Sequence, residues 1–247
     1  MDRMLYIAMS GAKETMNSQA TTSNNLANAS TTGFQADLQQ FRSMPVFGPG
    51  QPTRVYAMSE RPQTDFTPGV MSMTGRELDI AVQGQGWFAV QAPDGSEAYS
   101  RRGDLQVDAN GIVTTGNGLP LLGDGGPIAI PPAEKITIGL DGTISIVPEG
   151  GGATQIAVID RIKMVNPDIQ EMEKGLDGLM RLKSGEPAPA DPDKRVLQGA
   201  LETSNVNTVN EMANMIELQR RFDLQVKMMK TANDMAAKAA TLIRPGG

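Results

Sequence analysis

Gly and Pro are not spread evenly along this chain. They crowd into residues 45–192, while the two ends hold almost none. Gly weakens a helix interior and Pro breaks one. A long helix is therefore possible only at the ends, and the middle must be built from strands and turns. The segregation fixes the order of the fold before any motif is read.

The ends carry helical period. Met1, Leu5, Ala8, Ala12, Met16, Gln19, Ser23 and Leu26 recur at steps of three or four over residues 1–28. Val206, Val209, Met212, Met215, Ile216, Phe222, Val226, Met229, Met235 and Ala239 trace a stronger apolar face over 205–243. Ser204, Asn205 and Asn207 are N-cap types, and Thr208 with Glu211 fits a capping box. At about 1.5 Å per residue the second helix is a rod of roughly 60 Å, the length of an assembly element. Between the ends the period becomes two. "LDIAVQGQGWFAVQA" (78–92) alternates, and Asp94-Gly95, Asn110-Gly111 and Asp141-Gly142 are hairpin-turn pairs. "AYSRRGDLQVDANGIVTT" and "KITIGLDGTISIV" read as hairpins, and "IAVIDRIKMVN" (156–166) as a further strand.

The expected fold is α+β: a discontinuous antiparallel coiled coil of the terminal helices with an inserted all-β domain. The boundaries expected are a first helix within 1–33, an extended linker over 34–74, the β domain over 75–200 and the closing helix within 201–247.

Composition excludes much chemistry. The chain has no Cys and no His, so thiolate nucleophiles, disulfides, a Ser-His-Asp triad and a His-rich zinc site are impossible. A net charge of −6 argues against a nucleic-acid partner. No apolar run reaches the 18 or so residues of a membrane span, and Asp2 beside Arg3 spoils the cationic start of a secretory signal. Gly84-Gln85-Gly86-Trp87-Phe88-Ala89 imitates a dinucleotide fingerprint, but a strand follows where a helix must, so a tight turn with a partly buried Trp87 is expected. Asp108-x-Asn110-Gly111 starts like a calcium loop, yet Leu119 stands where its last carboxylate belongs. Glu171/Glu173 and Asp191/Asp193 read as solvated carboxylates rather than a glycosidase pair. The basic residues of the last helix, Arg220, Arg221, Lys227, Lys230 and Lys238, are diluted by Glu211, Glu217, Asp223 and Asp234, against a membrane-binding face. No cofactor, metal or small-molecule substrate is implied. Nine of the 16 Met lie in the two terminal helices. Met adapts to several neighbours, and two helices cannot cover each other on all sides, so these faces call for a partner.

Four blocks then carry a resemblance: "NNLANASTTGF" (24–34), "TGRELDIAVQGQGWFAVQ", "YSRRGDLQVDANGIVTTGNGLPLLG" and "GALETSNVNTVNEMANMIELQRRF". In this order they resemble the bacterial flagellar axial proteins of rod and hook. The opening "MDRMLYIAMSGAKETMNSQ" and the short length are similar to a proximal-rod member. Residues 167–193 depart from the pattern.

The resemblance implies a polymerising, non-catalytic subunit. It would be exported unfolded by the flagellar type III apparatus, with no cleaved signal, and would fold at the growing tip in the periplasm. Its partners would be itself and other proximal and distal rod subunits. The terminal helices would form an inner layer around the channel, disordered until a neighbour orders them. Subunit contacts would involve Asn24, Asn25, Leu26, Asn28, Gly33 and Phe34 at the first helix. Ser204, Asn205, Val206, Met215, Ile216, Gln219 and Arg220 would do so at the second. Gly33 fits a left-handed C′ position ending the helix, and the Asn amides could fix register between subunits. The alternatives are a distal-rod subunit, or a β module acting on peptidoglycan; the latter needs a concave site with convergent carboxylates and aromatics.

Overall fold

The computed structural model describes residues 2–45, 55–59, 63–149 and 156–243. It is α+β, with helix α1 (Asp2–Ala27) at one end, helix α2 (Thr208–Ile243) at the other, and strands between. The chain forms two compact units. A helical unit gathers Met1–Ala29, Ala36–Asp65 and Val206–Gly247, and a β unit gathers Ser30–Gln35 and Phe66–Asn205.

In the helical unit α1 and α2 run antiparallel. Gln19 meets Gln219 at 3.4 Å, Asn25 meets Glu211 at 3.5 Å, and Gly11 lies against Gln225. The buried positions of α1 are small or polar: Ala8, Ala12, Thr15, Ser18, Thr22 and Asn25. The least exposed positions of α2 are bulkier: Glu211, Met215, Leu218, Phe222, Gln225, Met229 and Ala232. These recur at alternating steps of four and three. A Cβ on Gly11 would stand 2.3 Å from Gln225 Oε1, so the Gly makes room for a long side chain. Thr15 and Ser18 donate their hydroxyls to the carbonyls of Gly11 (2.8 Å) and Glu14 (3.1 Å), which lets polar groups sit on the buried stripe.

The start of α2 differs from expectation. Residues 204–206 precede the helix, which begins at Thr208. Asn207 is the cap: its Oδ1 accepts from the N–H groups of Val209 and Asn210, both at 3.1 Å. No Thr208–Glu211 capping box forms, because Asn207 takes the cap position and Thr208 is the first helical residue; the Glu211 carboxylate accepts from Asn25 of α1 at 3.5 Å.

Within 34–74, expected as an extended linker, the chain forms strands. Asp37–Leu38 pairs with Gln63–Thr64, and Phe41–Pro45 pairs with Val55–Ser59, both antiparallel. The polar side chains of α1 hold them: Ser10 Oγ donates to the Ala57 carbonyl (3.1 Å) and Ser18 Oγ to Gln39 Oε1 (2.7 Å). Scattered Pro hid this period in the sequence, and α1 adds side-chain contacts from outside the strand pairs.

The β unit is centred on a five-stranded antiparallel sheet. Its order is Met164–Val165, Trp87–Gln91, Glu97–Ser100, Met180–Leu182, Met172–Lys174. Alternation along Trp87–Gln91 separates two cores. Phe88 and Val90 join Ile80, Leu105, Leu121, Ile144 and Ile146. Trp87 and Ala89 join Tyr99, Val165, Met172 and Met180 on the other face. The sheet is thus covered on both sides, which its nearly continuous apolar strand anticipates. Leu105–Val107 and Val113–Thr115 form the hairpin expected around Asn110-Gly111, and Ala133–Ile138 and Thr143–Pro148 that around Asp141-Gly142. Ala157–Arg161 completes a three-stranded sheet with the latter.

The turn aspartates make a pH prediction. The Ser96 hydroxyl beside Asp94, the Ile112 N–H at Asp108, the Thr143 hydroxyl at Asp141 and the Arg181 guanidinium at Asp177 each hold a carboxyl below its ordinary value. A depressed folded pKa gives stability that is complete above the unfolded value of about 3.9 and lost as pH falls through the folded values. The urea midpoint of the β unit is therefore expected to fall between pH 5 and pH 3. Asp108→Asn with Asp141→Asn should shrink that fall; an identical fall would mean these turns do not contribute.

Candidate assembly surface

The helical unit leaves large apolar side chains in water. On α2, Val209 is 73% exposed, Leu224 61% and Ile216 58%, with Met212, Val226, Met228 and Met235 also exposed. On α1, Tyr6, Met9 and Met16 are exposed, and Phe41 and Val55 on one face of the strand pair and Met44 and Met58 on the other are exposed as well. Large apolar side chains left in water over an extended surface point to a partner.

The residues singled out in the sequence separate into groups. Ile216, Gln219 and Arg220 are exposed on α2, and Met215 is half-buried. Asn25 is 2% exposed and its amide is used within the chain. Its Oδ1 accepts from Asp37 N and its Nδ2 donates to Asp37 O, both at 2.9 Å, so a side chain imitates a strand partner. Asn28 Nδ2 returns to the Asn24 carbonyl at 3.0 Å, closing the end of α1; Asn24 is exposed and Leu26 half-buried.

Gly33 has the expected left-handed backbone (φ +66°) but is not the C′ residue of α1. That helix ends at Ala27, and Gly33 lies in the β unit, where its N–H donates to the Glu202 carbonyl at 2.8 Å. A Cβ there would meet the Arg101 carbonyl at 2.5 Å. Phe34 packs under Lys174, whose Nζ is 4.3 Å from the ring centroid and donates to Gln35 O at 2.9 Å. Ser204, Asn205 and Val206 are half-buried before α2.

Around these residues is a buried charge cluster that pattern reading missed. Arg101 and Glu202 are each 2% exposed. Arg101 Nε donates to Glu202 Oε2 at 2.8 Å, and its terminal nitrogens donate to the carbonyls of Gly86 (3.1 Å) and Gly84 (2.7 Å). Glu202 Oε1 accepts from Gly69 N at 2.9 Å. Beneath lies Trp87, which is 1% exposed rather than partly buried. Phe66 meets it edge-on at 5.9 Å, and its indole N–H donates to Gln35 Oε1 at 3.3 Å. The Gly84–Gly86 carbonyls thus bind a guanidinium, and the turn cradles no phosphate. The available signal was a Glu inside an otherwise inward-facing strand position, "GALETSN", and an Arg pair after a strand.

The carboxylates weighed as chemistry serve the fold. Asp108 Oδ1 accepts from Asn110 N and Ile112 N, both at 2.8 Å. A cleft of about 380 Å³ is lined by Glu97, Asp124 and Lys163, but Glu97 and Lys163 pair at 2.8 Å. Tyr99, which donates to Glu97 at 3.0 Å, is pushed up to about 12 by its burial and stays a phenol. Among the described residues no acidic cluster is arranged to hold a metal ion, and no helix is long and apolar enough to cross a membrane.

Three family models match the chain: a "Flagella basal body rod protein" over residues 5–35, a "Flagellar hook protein FlgE/F/G D1 domain" over 81–146, and a "Flagellar basal body rod FlgEFG protein C-terminal" over 197–242. The chain is 45% identical to the flagellar basal-body rod protein FlgF of Escherichia coli (strain K12), over 98% of this chain and 99% of the relative. It is 41% identical to FlgF of Salmonella typhimurium over the same shares. Flagellar basal-body rod protein FlgG of Buchnera aphidicola subsp. Acyrthosiphon pisum is 31% identical, over 96% of this chain and 98% of the relative.

Proposed function

This chain belongs to the FlgF family of flagellar basal-body rod proteins, and we propose that it polymerises into the proximal rod through its terminal helices. It is a structural subunit of the rod and not an enzyme. The observation that carries the assembly reading is the exposed apolar surface of the helical unit, headed by Val209, Ile216 and Leu224. Buried between neighbours, each such side chain contributes about 1.5–3 kcal/mol, enough in number to order a chain on contact.

The four-three spacing along α2 supports a coiled-coil pairing with α1. In the assembled rod these helices form the inner layer around the export channel, and the tube transmits torque. The subunit reaches the growing tip unfolded through the flagellar type III apparatus, without a cleaved signal, and folds in the periplasm. Its helical unit becomes fully ordered as a neighbour arrives. Its partners are further copies and the proximal and distal rod subunits, with no nucleic acid and no small-molecule substrate. Ile216 and Arg220 face the neighbour, while Gln219, which accepts from Gln19, and Asn25 serve the pairing within the chain.

Ile216→Glu combined with Leu224→Glu tests this. Both side chains are exposed, so the β unit's melting should change by no more than about 0.5 kcal/mol. Cells carrying the variant as their sole copy are expected to lose flagella under the electron microscope. Normal flagellation by a stably folded variant would refute assembly through this face.

A further inference from the structure

The boundary of the β unit has a property that the polymer reading does not require. The chain passes between the two units four times, after Ala29, Gln35, Asp65 and Asn205. All four passages open from three short pieces of the β unit: Ser30–Gln35, the residues from Phe66, and the residues up to Asn205. These three pieces are bonded to one another. Gly33 N donates to Glu202 O at 2.8 Å, Asn205 N to Phe34 O at 3.3 Å, and Asn205 Nδ2 to Thr67 O at 2.9 Å. The Glu202 carboxylate takes Gly69 N with one oxygen and Arg101 with the other. Arg101 is in turn fixed to the Gly84–Gly86 turn, and Trp87 below it bonds Gln35 and meets Phe66.

The packing leaves no slack. A Cβ on Gly69 would stand 1.9 Å from the Thr203 carbonyl, and one on Gly33 would strike the Arg101 backbone. An apolar core could hold these pieces together more cheaply than a buried ion pair, whose desolvation cost its attraction roughly offsets. What a buried pair adds is direction: a guanidinium and a carboxylate with all their partners in place accept one arrangement.

We propose that the Arg101–Glu202 pair is the centre of a joint that binds the four passages into one mechanical unit, so that load reaches the β unit through the whole cluster and never through a single strand of chain. This rests on the rod reading, in which the subunit carries load. Arg101, Glu202, Gln35 and Asn205 are its positioning residues.

Two measurements on the full chain test it. The first is amide exchange in Arg101→Met and in the milder pair Gln35→Ala with Asn205→Ala. In a joint, the amides of Gly33, Gly69 and Asn205 gain exchange together, by tenfold or more, while those of Phe88 and Val90 in the central sheet keep their protection. The second is complementation of a strain lacking its own subunit. The Gln35→Ala, Asn205→Ala chain should build flagella in water but lose them, or lose swimming, in viscous medium where torque is high. If wild-type chain fails to restore flagella, the rod reading itself is wrong. If it succeeds and the double variant matches it at every viscosity, with the three amides exchanging independently, the joint is refuted. The same refutation follows if Arg101→Met simply unfolds the sheet while the milder pair leaves all three amides protected.

Discussion

Glu202→Ala is expected to lower the stability of the β unit by about 3–5 kcal/mol. The substitution removes a carboxylate that is 2% exposed and leaves Arg101, equally buried, with a positive charge and no counter-charge. Its remaining partners, the Gly84 and Gly86 carbonyls, cannot neutralise it. The N–H of Gly69 also loses its acceptor. The control is Arg101→Met with Glu202→Leu, which removes both charges and fills similar volume. It should be far less damaging than Glu202→Ala, because no group is left uncompensated. Urea unfolding of the three chains at one pH decides the matter. Equal losses for the single and double variants would mean that the cavity, and not the stranded charge, sets the cost.

Trp87→Ala is the second large effect, about 3–5 kcal/mol. The indole is 1% exposed, so its removal opens a void in the core shared with Tyr99, Val165 and Met180. It also removes the edge-on contact with Phe66 and the donor to Gln35 Oε1. Arg101 stacks 6.0 Å from the ring centroid, so the two predictions are coupled. The loss in the Trp87→Ala, Glu202→Ala chain should fall short of the sum of the separate losses by about 0.5–3 kcal/mol. Strict additivity would show that the indole and the ion pair act apart. As the chain's sole Trp, it also gives Glu202→Ala a fluorescence readout of its own.

The contrast between these residues and the exposed face explains what could be read in advance. Gly and Pro placement gave helical ends and a β middle, because it reflects backbone geometry that every residue obeys locally. The Asn110-Gly111 and Asp141-Gly142 hairpins were legible for the same reason: the turn chemistry lies within four residues. Ile216 and Arg220 could be named through the resemblance, and they stand exposed on α2. Gly33 was half legible. Its left-handed φ is one that Gly adopts freely, but its partner Glu202 lies far along the chain. A local rule therefore assigned it to the helix end. Asn25 is similar, since only the fold reveals that Asp37 and Glu211 take its amide. Arg101 and Glu202 were invisible as a pair, being two ordinary charges a hundred residues apart with no period or motif joining them. The strand pairing inside 34–74 was not legible because Asp37–Leu38 and Phe41–Pro45 find their partners only at Gln63–Thr64 and Val55–Ser59, across scattered Pro.

If subunits join through the helical unit, a reporter on its exposed face is covered on assembly. The chain has no Cys, so a single one can be introduced as a reporter. Ile216→Cys places a thiol on the exposed face of α2, and Leu176→Cys places one on a turn of the β unit where the native side chain is fully exposed. Maleimide labelling is compared between the purified chain and basal bodies isolated from cells that depend on it. The expected result is equal labelling of both positions in the free chain, and in basal bodies at least tenfold less at 216 than at 176. Free labelling at 216 in assembled basal bodies would contradict assembly through the helices.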